Sequence, residues 1–287
     1  MQAIQVQRHG GPEVLELVDV EQPQPGPGQV RVEVSAAGVN FVDVYNRTGL
    51  YPTQLPFIPG DEGAGRVAAV GSGVETVKVG DRVASTNLGG SYAEFAVVAA
   101  DRVVPVPDGV SDELAAAVLL QGLTAHYLVF DSYRVKEGDT VLVHAAAGGV
   151  GLLLTQLATS LGARVIGTVS ALEKEKLARD AGAAEVIGYD SIAEDVERLT
   201  DGRGVPVVYD SVGRTTFDAS LMSLRPRGVL VLYGQSSGPV PPFDIGRLMR
   251  GGSLYLTRPT LGTLVATQDE LVRRATEIFD RVADGRL

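Results

Sequence analysis

Hydrophobic and polar residues alternate in short runs through the first third of the chain. Val30-Arg31-Val32-Glu33-Val34 keeps valine on every second position, and Gly65-Arg66-Val67-Ala68-Ala69-Val70 continues the habit with smaller residues. A period of two sends successive side chains to opposite faces, so these runs predict half-buried strands. The N-terminal stretch, residues 1–8, alternates in the same way. Turn-forming residues punctuate the pattern at 23–28, at Gly71-Ser72-Gly73 and at Gly80-Asp81. Up to about Pro107, many short strands with Gly and Pro turns predict a barrel-like β region.

After roughly Ser111 the texture changes. Thr140-Val141-Leu142-Val143-His144-Ala145 reads as a buried strand, and residues 151–161 as a helix with Leu152, Leu153, Gln156 and Leu157 near one face. Further strands are predicted at 163–168, 185–187, 205–209, 228–233 and 253–257. Helices are predicted at 172–181, 192–199 and 216–224, and an amphipathic helix at 264–281. Strand and helix in alternation predict an α/β class: a doubly wound parallel sheet of Rossmann type beside the β-rich region. No fixed-period repeat or low-complexity stretch is visible.

Composition narrows the picture. Of 287 residues, 45% are hydrophobic and 21% charged, the balance of a soluble globular protein. No apolar run is expected to reach the ~18–20 residues that span a bilayer, so no membrane partner is expected. The N-terminus lacks the layout of a signal peptide, and the cytoplasm is the expected compartment. The formal charge of −10 argues against nucleic acid as a partner. Cysteine is absent, which rules out disulfides, a thiolate nucleophile and a thiolate zinc site. The three histidines, His9, His126 and His144, show no paired spacing, so no metal site is expected.

The chemistry concentrates in Ala145-Ala146-Ala147-Gly148-Gly149-Val150-Gly151, directly after one predicted strand and at the head of a helix. Small residues let backbone approach a pyrophosphate, and the helix N-terminus offers free N–H groups and a positive dipole end. The competing reading is a tight turn that only packs helix on sheet. The second predicted strand ends in Gly167-Thr168-Val169-Ser170, without the carboxylate that binds the ribose hydroxyls of NAD. Lys174 stands near that strand end and can pair with a phosphate, which favours NADPH. Taken alone, Lys174 also reads as one solvated charge within Glu173-Lys174-Glu175-Lys176. Hydride transfer to a conjugated carbonyl gathers negative charge on oxygen, which hydrogen-bond donors stabilise. Candidate catalytic donors are Asn40, Tyr45 and Tyr51. Each has a packing alternative: Asn40 as the cap of a helix starting near Phe41, Tyr45 as half-buried packing a turn later, Tyr51 as cover for a loop.

The segment 38–52, Gly38-Val39-Asn40-Phe41-Val42-Asp43-Val44-Tyr45-Asn46-Arg47-Thr48-Gly49-Leu50-Tyr51-Pro52, resembles the substrate-side signature of zinc-free quinone oxidoreductases of the medium-chain dehydrogenase/reductase superfamily. Also similar to that family are Pro59-Gly60-Asp61-Glu62-Gly63-Ala64-Gly65, Gln121-Gly122-Leu123-Thr124-Ala125, the 145–151 loop, Tyr209-Asp210-Ser211-Val212-Gly213, Gly234-Gln235-Ser236-Ser237-Gly238 and Leu256-Thr257-Arg258-Pro259. The resemblance runs over essentially the whole chain. Zinc alcohol dehydrogenases of the superfamily carry Cys where Asn40 stands and His where Asp61 stands.

The resemblance implies a GroES-like, barrel-like catalytic domain over 1–121 and 261–287, its C-terminal part cut short, with a Rossmann domain over 122–260 and ligands in the cleft between. It implies Asn40 and Tyr45 by the nicotinamide and its ribose, Thr124 near the nicotinamide, and Tyr51 at the substrate. Gly148, Gly149 and Val150 would hold the pyrophosphate, with Lys174, Tyr189 and Ser170 at the adenosine phosphate. Ser211, Gly234 and Ser236 would line the cofactor groove. Family members continue some tens of residues past the position of Leu287, bringing strands back to the catalytic domain and a basic residue toward the cofactor phosphate. A homodimer joined through the Rossmann sheets is also implied. The expected activity is NADPH-dependent quinone reduction by an enzyme. The alternatives are an enone, alkenal or enoyl reductase on the same scaffold and an NADPH-binding sensor or structural protein. A Ser–His–Asp hydrolase is disfavoured, because Gly90-Ser91 and Ser236-Ser237 lack nucleophile-elbow spacing.

Overall fold

Alternation in the first part of the chain does build antiparallel strands. The computed structural model describes residues 1–287. One unit comprises Met1–Leu120 and Ala266–Arg286, and the other Gln121–Val265 with Leu287.

The first unit opens with a hairpin of β1 (Gln2–Val6) and β2 (Leu15–Asp19). Then come β3 (Gln29–Ala37), helix α1 (Phe41–Thr48), β4 (Gly63–Val70), β5 (Arg82–Ser85), β6 (Phe95–Ala99) and β7 (Val104–Pro105). The last five strands form one antiparallel sheet in the order β6-β3-β4-β5-β7. The alternate valines behave as their period requires: Val30 and Val32 of β3 point inward with Val67, Val83, Ala96 and Val98, all buried. Gly65 of β4 lies directly against β3, where a Cβ would run into the Glu33 carbonyl.

Helix α2 (Asp112–Tyr127) follows, and its last residues continue as a π turn over Leu128–Ser132. The division between the units falls inside this helix. It is a correction to the sequence reading, which expected no apolar run of spanning length. The stretch Asp112–Ser132 is long and apolar enough to cross a bilayer by length and composition, yet most of it is buried in protein. Apolar residues on every side are what a core helix carries.

The second unit runs β8 (Thr140–Val143), α3 (Gly149–Ser160), β9 (Arg164–Thr168), α4 (Glu175–Asp180), β10 (Glu185–Ile187), α5 (Ile192–Leu199), β11 (Val205–Asp210), α6 (Phe217–Met222), β12 (Leu224–Leu232), α7 (Gly246–Arg250), β13 (Tyr255–Thr257) and α8 (Leu261–Leu264). Its six strands are parallel in the order β10-β9-β8-β11-β12-β13. From β8 the chain winds outward through β9 and β10, then returns to build β11 to β13 on the other side. The reversal lies between β8 and β11, and in open parallel sheets ligands bind beyond the carboxyl ends of the strands at such a point. Continuous apolar runs, such as the wholly buried β11, reflect helices covering both faces.

Helix α9 (Gln268–Ala283) rejoins the first unit and lies near β7. Thr267 caps it, accepting from the Glu270 N–H at 3.3 Å. Leu271, Ala275, Ile278 and Phe279 form its buried stripe, the face that its amphipathic pattern predicts.

Candidate functional site

Two clusters of polar groups stand out, one in each unit. In the first unit, Asn40 precedes α1 in extended conformation, and its backbone N–H donates to Asp43 Oδ2 at 2.9 Å. This bond belongs to a capping box between Asn40 and Asp43, and it holds the start of the helix. The Asn40 side-chain amide also reaches Glu62: its Nδ2 donates to Glu62 Oε2 at 2.6 Å. Glu62 is fully buried, and its Oε1 accepts the Leu120 N–H of α2 at 2.7 Å. Burial pushes its carboxyl up to about 7, against the opposing effect of the bonds from Asn40 and Leu120. Gly38 must be glycine here, because a Cβ would run into both the Glu62 carboxylate and the Ala116 carbonyl.

Two further carboxyls share this region. Burial raises Asp43, although the Asn40 N–H and the Tyr92 hydroxyl, which donates to Oδ2 at 3.1 Å, oppose the rise. Burial also raises Asp61, helped by the charge of Asp43. Tyr92 is held well above the usual phenol range by burial and by the same carboxylates. One turn along α1, Tyr45 is buried and packs between Phe41 and Tyr51, with ring centroids at 5.3 and 5.1 Å. The Tyr51 N–H donates to the Tyr45 carbonyl at 3.2 Å, tying the loop to the helix. The structure thus brings Tyr45 of α1 and Tyr51 of the following loop together as an aromatic pair, with Asn40 at the head of that helix bonded to Glu62.

In the second unit, the chain leaves β8 through His144 and turns at Ala145, whose φ of +52° is left-handed. The Gly148 N–H closes the turn on the Ala145 carbonyl at 2.8 Å, and Gly148 caps α3. Gly148 offers no side chain to cap this end, and the first N–H groups, at 149–151, have no intrahelical acceptor. Three glycines allow the fit. A Cβ on Gly149 would run into the Gln121 side chain, one on Gly151 into the Ala145 carbonyl, and one on Gly167 would lie 2.7 Å from the Ala146 Cβ. These positions bring backbone close together at the head of α3, an arrangement whose N–H groups and helix dipole suit an anionic group.

Apart from Thr124, the other cofactor positions singled out from the sequence lie beyond the strand ends of the same sheet. After β9, the Lys174 ammonium donates to Ser170 Oγ at 3.3 Å, and both residues are exposed. After β10, the Tyr189 hydroxyl accepts the Ala145 N–H at 3.1 Å. After β11 and β12, Ser211 and Gly234 meet so closely that a Cβ on Gly234 would lie 2.6 Å from the Ser211 carbonyl oxygen. The Ser236 N–H donates to that same oxygen at 3.1 Å. Thr124 lies in α2, buried and bonded to Tyr127, whose phenol burial pushes up to about 12.

Sequence reasoning missed the network beneath the turn at the head of α3. His144 is wholly buried, with Nδ1 3.1 Å from Thr168 Oγ1 and Nε2 2.9 Å from Ser220 Oγ. Ser220 donates to Asp210 Oδ2 at 2.8 Å, and Thr216 donates to both oxygens of that carboxylate. Burial lowers the His144 imidazole, while Asp210 acts in the opposite sense. It also missed Glu62 as a group in its own right, although the motif 59–65 contains it.

The residues do not fit a zinc site. Nowhere do three His, Cys, Asp or Glu side chains gather to hold a metal ion, and the Asn40 amide nitrogen already donates to Glu62.

Comparisons agree with this architecture. Residues 26–108 match the alcohol dehydrogenase GroES-like domain, and residues 149–277 match the zinc-binding dehydrogenase family. A quinone oxidoreductase of Pseudomonas aeruginosa is 51% identical over 98% of this chain and 88% of its own length. Quinone oxidoreductase 1 of Escherichia coli is 44% identical, with 98% and 88% covered. The Escherichia coli quinone oxidoreductase structure, complexed with NADPH, superposes with a TM-score of 0.98 at 43% identity, covering 100% of this chain and 89% of that one. A mycobacterial protein complexed with NADPH gives a TM-score of 0.98 at 54% identity, with 100% and 90% covered. The chain belongs to the quinone oxidoreductases of the medium-chain dehydrogenase/reductase superfamily.

Proposed function

We propose that the protein is an NADPH-dependent reductase of quinones that works without zinc. The observation that carries this reading is the end of β9. Ser170 and Lys174 stand there as a hydroxyl and a cation 3.3 Å apart, with no carboxylate on the strand end to repel a 2′-phosphate. The cradle at 148–151 supports the dinucleotide part of the reading.

NADPH bound there would supply a hydride. The chain's own groups hold, orient and stabilise. Gly148, Gly149 and Val150 present backbone to the pyrophosphate. Lys174, Ser170 and Tyr189 serve the adenosine phosphate end, and Thr124, Ser211, Gly234 and Ser236 line the groove. In the first unit, Tyr45 and Tyr51 offer an aromatic face and hydroxyl donors suited to a flat conjugated acceptor. Asn40, oriented by Glu62, offers a fixed amide beside the nicotinamide ribose. Donors aimed at the acceptor oxygen stabilise the charge that develops there.

The named relatives support the quinone assignment. A second reading, reduction of a conjugated acid or enone, has support from a Burkholderia 2-haloacrylate reductase, 40% identical over 98% of this chain.

The test is NADPH oxidation followed by absorbance against a panel of quinones, alkenals and 2-haloacrylates, with NADH as control. Quinone-dependent oxidation preferring NADPH is expected. Lys174→Ala should cut the NADPH-over-NADH preference about tenfold, the size of one charge-assisted contact. Turnover of 2-haloacrylate or alkenals without quinones would move the assignment to the second reading. Equal use of NADH by the unaltered protein would overturn the phosphate assignment.

A further inference from the structure

We propose that the buried chain Asp210–Ser220–His144–Thr168 is a one-directional hydrogen-bond relay that fixes His144 as the neutral Nε2–H tautomer and presets the Ala145 turn to receive the dinucleotide. His144 is then a positioning residue. The proposal rests on the reading of the 148–151 cradle as the dinucleotide site.

The direction of every bond follows from one end. A carboxylate only accepts. Asp210 Oδ1 takes the N–H groups of Val212 and Gly213 at 2.8 and 2.9 Å, and Oδ2 takes the Ser220 hydroxyl at 2.8 Å. Ser220 has spent its one proton there, so its oxygen must accept from His144, 2.9 Å away. That requires a proton on Nε2. A neutral imidazole has only one N–H, so Nδ1 is bare and accepts from Thr168 Oγ1 at 3.1 Å. Thr168 has in turn used its proton, and its oxygen accepts the Ala145 N–H at 3.2 Å. The opposite tautomer would bring Ser220 Oγ and Asp210 Oδ2 together as two lone pairs at 2.8 Å. An imidazolium would donate to Thr168 as well, leaving the Thr168 hydroxyl proton without an acceptor in this network. Only one arrangement satisfies every group.

The relay ends where the cradle begins. Ala145 is a non-glycine residue in the left-handed region, at φ +52°, a conformation that is costly unless its surroundings impose it. Its N–H is held between Thr168 Oγ1 and Tyr189 Oη, at 3.2 and 3.1 Å. Its carbonyl accepts from Gly148 at 2.8 Å and fixes the turn that aims the α3 N-terminus. A turn held in place before binding lowers the ordering cost of binding. His144, with no exposed surface, therefore acts on affinity through Ala145.

The test has two arms. The chain carries three histidines, so imidazole nitrogen NMR of the full chain can assign His144 by its loss in a His144→Gln variant. The expected spectrum shows a protonated Nε2 and a bare Nδ1 at neutral pH, with no cofactor added. A protonated Nδ1 or an imidazolium overturns the relay outright. In the second arm NADPH affinity is titrated by fluorescence. Thr168→Val, which removes both the acceptor for Ala145 and the donor to His144, should weaken binding about tenfold, the effect of one unmet buried group. Thr168→Ser, which keeps the hydroxyl, should restore it. Thr168→Val binding as tightly as the unaltered chain would overturn the positioning role alone. An unaltered chain that fails to bind NADPH would overturn the dinucleotide reading itself, and the positioning role with it.

Discussion

The two polar clusters use the same materials, buried carboxyl, amide and hydroxyl groups, to opposite effect. Around Asp210, every donor has an acceptor, and the carboxylate takes bonds from Val212, Gly213, Thr216 and Ser220. Around Glu62, carboxyls are buried with fewer donors than they can use. Asp43 Oδ1 has no hydrogen-bond partner, and neither does the nearby Ser91 hydroxyl. The titration behaviour follows: Asp43, Asp61 and Glu62 are all raised, with burial as the largest cause. A saturated network makes a fixed platform, whereas an undersupplied one makes carboxyls that hold their protons more tightly than usual, Glu62 up to about 7. The first suits a site that only binds; the second suits a place where protonation can be coupled to chemistry.

The largest expected effect tests the saturated side. Asp210→Asn keeps the shape but removes the charge that several donors address. The new amide N–H₂ must also face Ser220, which reverses the proton order through His144. Bonds to a charged acceptor are worth about 1.5–3 kcal/mol each, so a loss on the order of 4 kcal/mol is expected in denaturant unfolding. His144 should move to the Nδ1–H tautomer in whatever fraction folds. An unchanged denaturation midpoint would show that the saturation of this network contributes little.

A smaller effect, with a definite sign, tests the undersupplied side. Glu62 rises from an ordinary 4.5 to about 7 on folding. The folded chain therefore holds a proton there that the unfolded chain releases above 4.5. The associated stability is fully present below the unfolded value and is lost as pH rises through about 7. For this fully buried group the shift corresponds to roughly 3 kcal/mol across that window. Glu62→Gln, which cannot titrate, should flatten the fall between pH 5 and about 7, read as the difference between the two stability profiles. Parallel profiles would mean that Glu62 titrates normally in the folded chain.

The two sides also differ in how far the sequence revealed them. Period-two valines such as Val30 and Val32, and the βα alternation after Ser111, exposed both sheets, because one buried face leaves a period in the sequence. Helix α2 left none: it is apolar all round and offers no face to read. The glycines at 148, 149 and 151 marked the tight turn at the head of α3, since close backbone approach restricts residue type. The groups beneath left no such mark. His144 reads as an ordinary strand residue, and its partner Ser220 lies 76 residues away. Glu62 sits in a recognisable motif, yet its raised pKa depends on burial and on the Leu120 N–H, 58 residues further on. A polar group's role depends on what faces it in space, and a local pattern does not carry that.

The smallest expected effect is the sharpest comparison, because it repeats the Asp-to-Asn change in the other cluster. Asp43 Oδ2 alone accepts both the Asn40 N–H and the Tyr92 hydroxyl, at 2.9 and 3.1 Å, while Oδ1 accepts nothing. In Asp43→Asn the amide oxygen can take the Oδ2 position and keep both bonds. The N–H₂ then occupies a site that was already unpartnered, so one unmet group replaces another. The buried charge is gone, and with it a repulsion that helps to raise both Asp61 and Glu62. Stability at neutral pH should change by less than about 1 kcal/mol, against several for Asp210→Asn. The Glu62 midpoint should fall below about 7, seen as a downward shift in the pH at which stability is lost. If Asp43→Asn costs as much as Asp210→Asn, both clusters are equally dependent on their charge, and the contrast between a fixed platform and a titrating one fails.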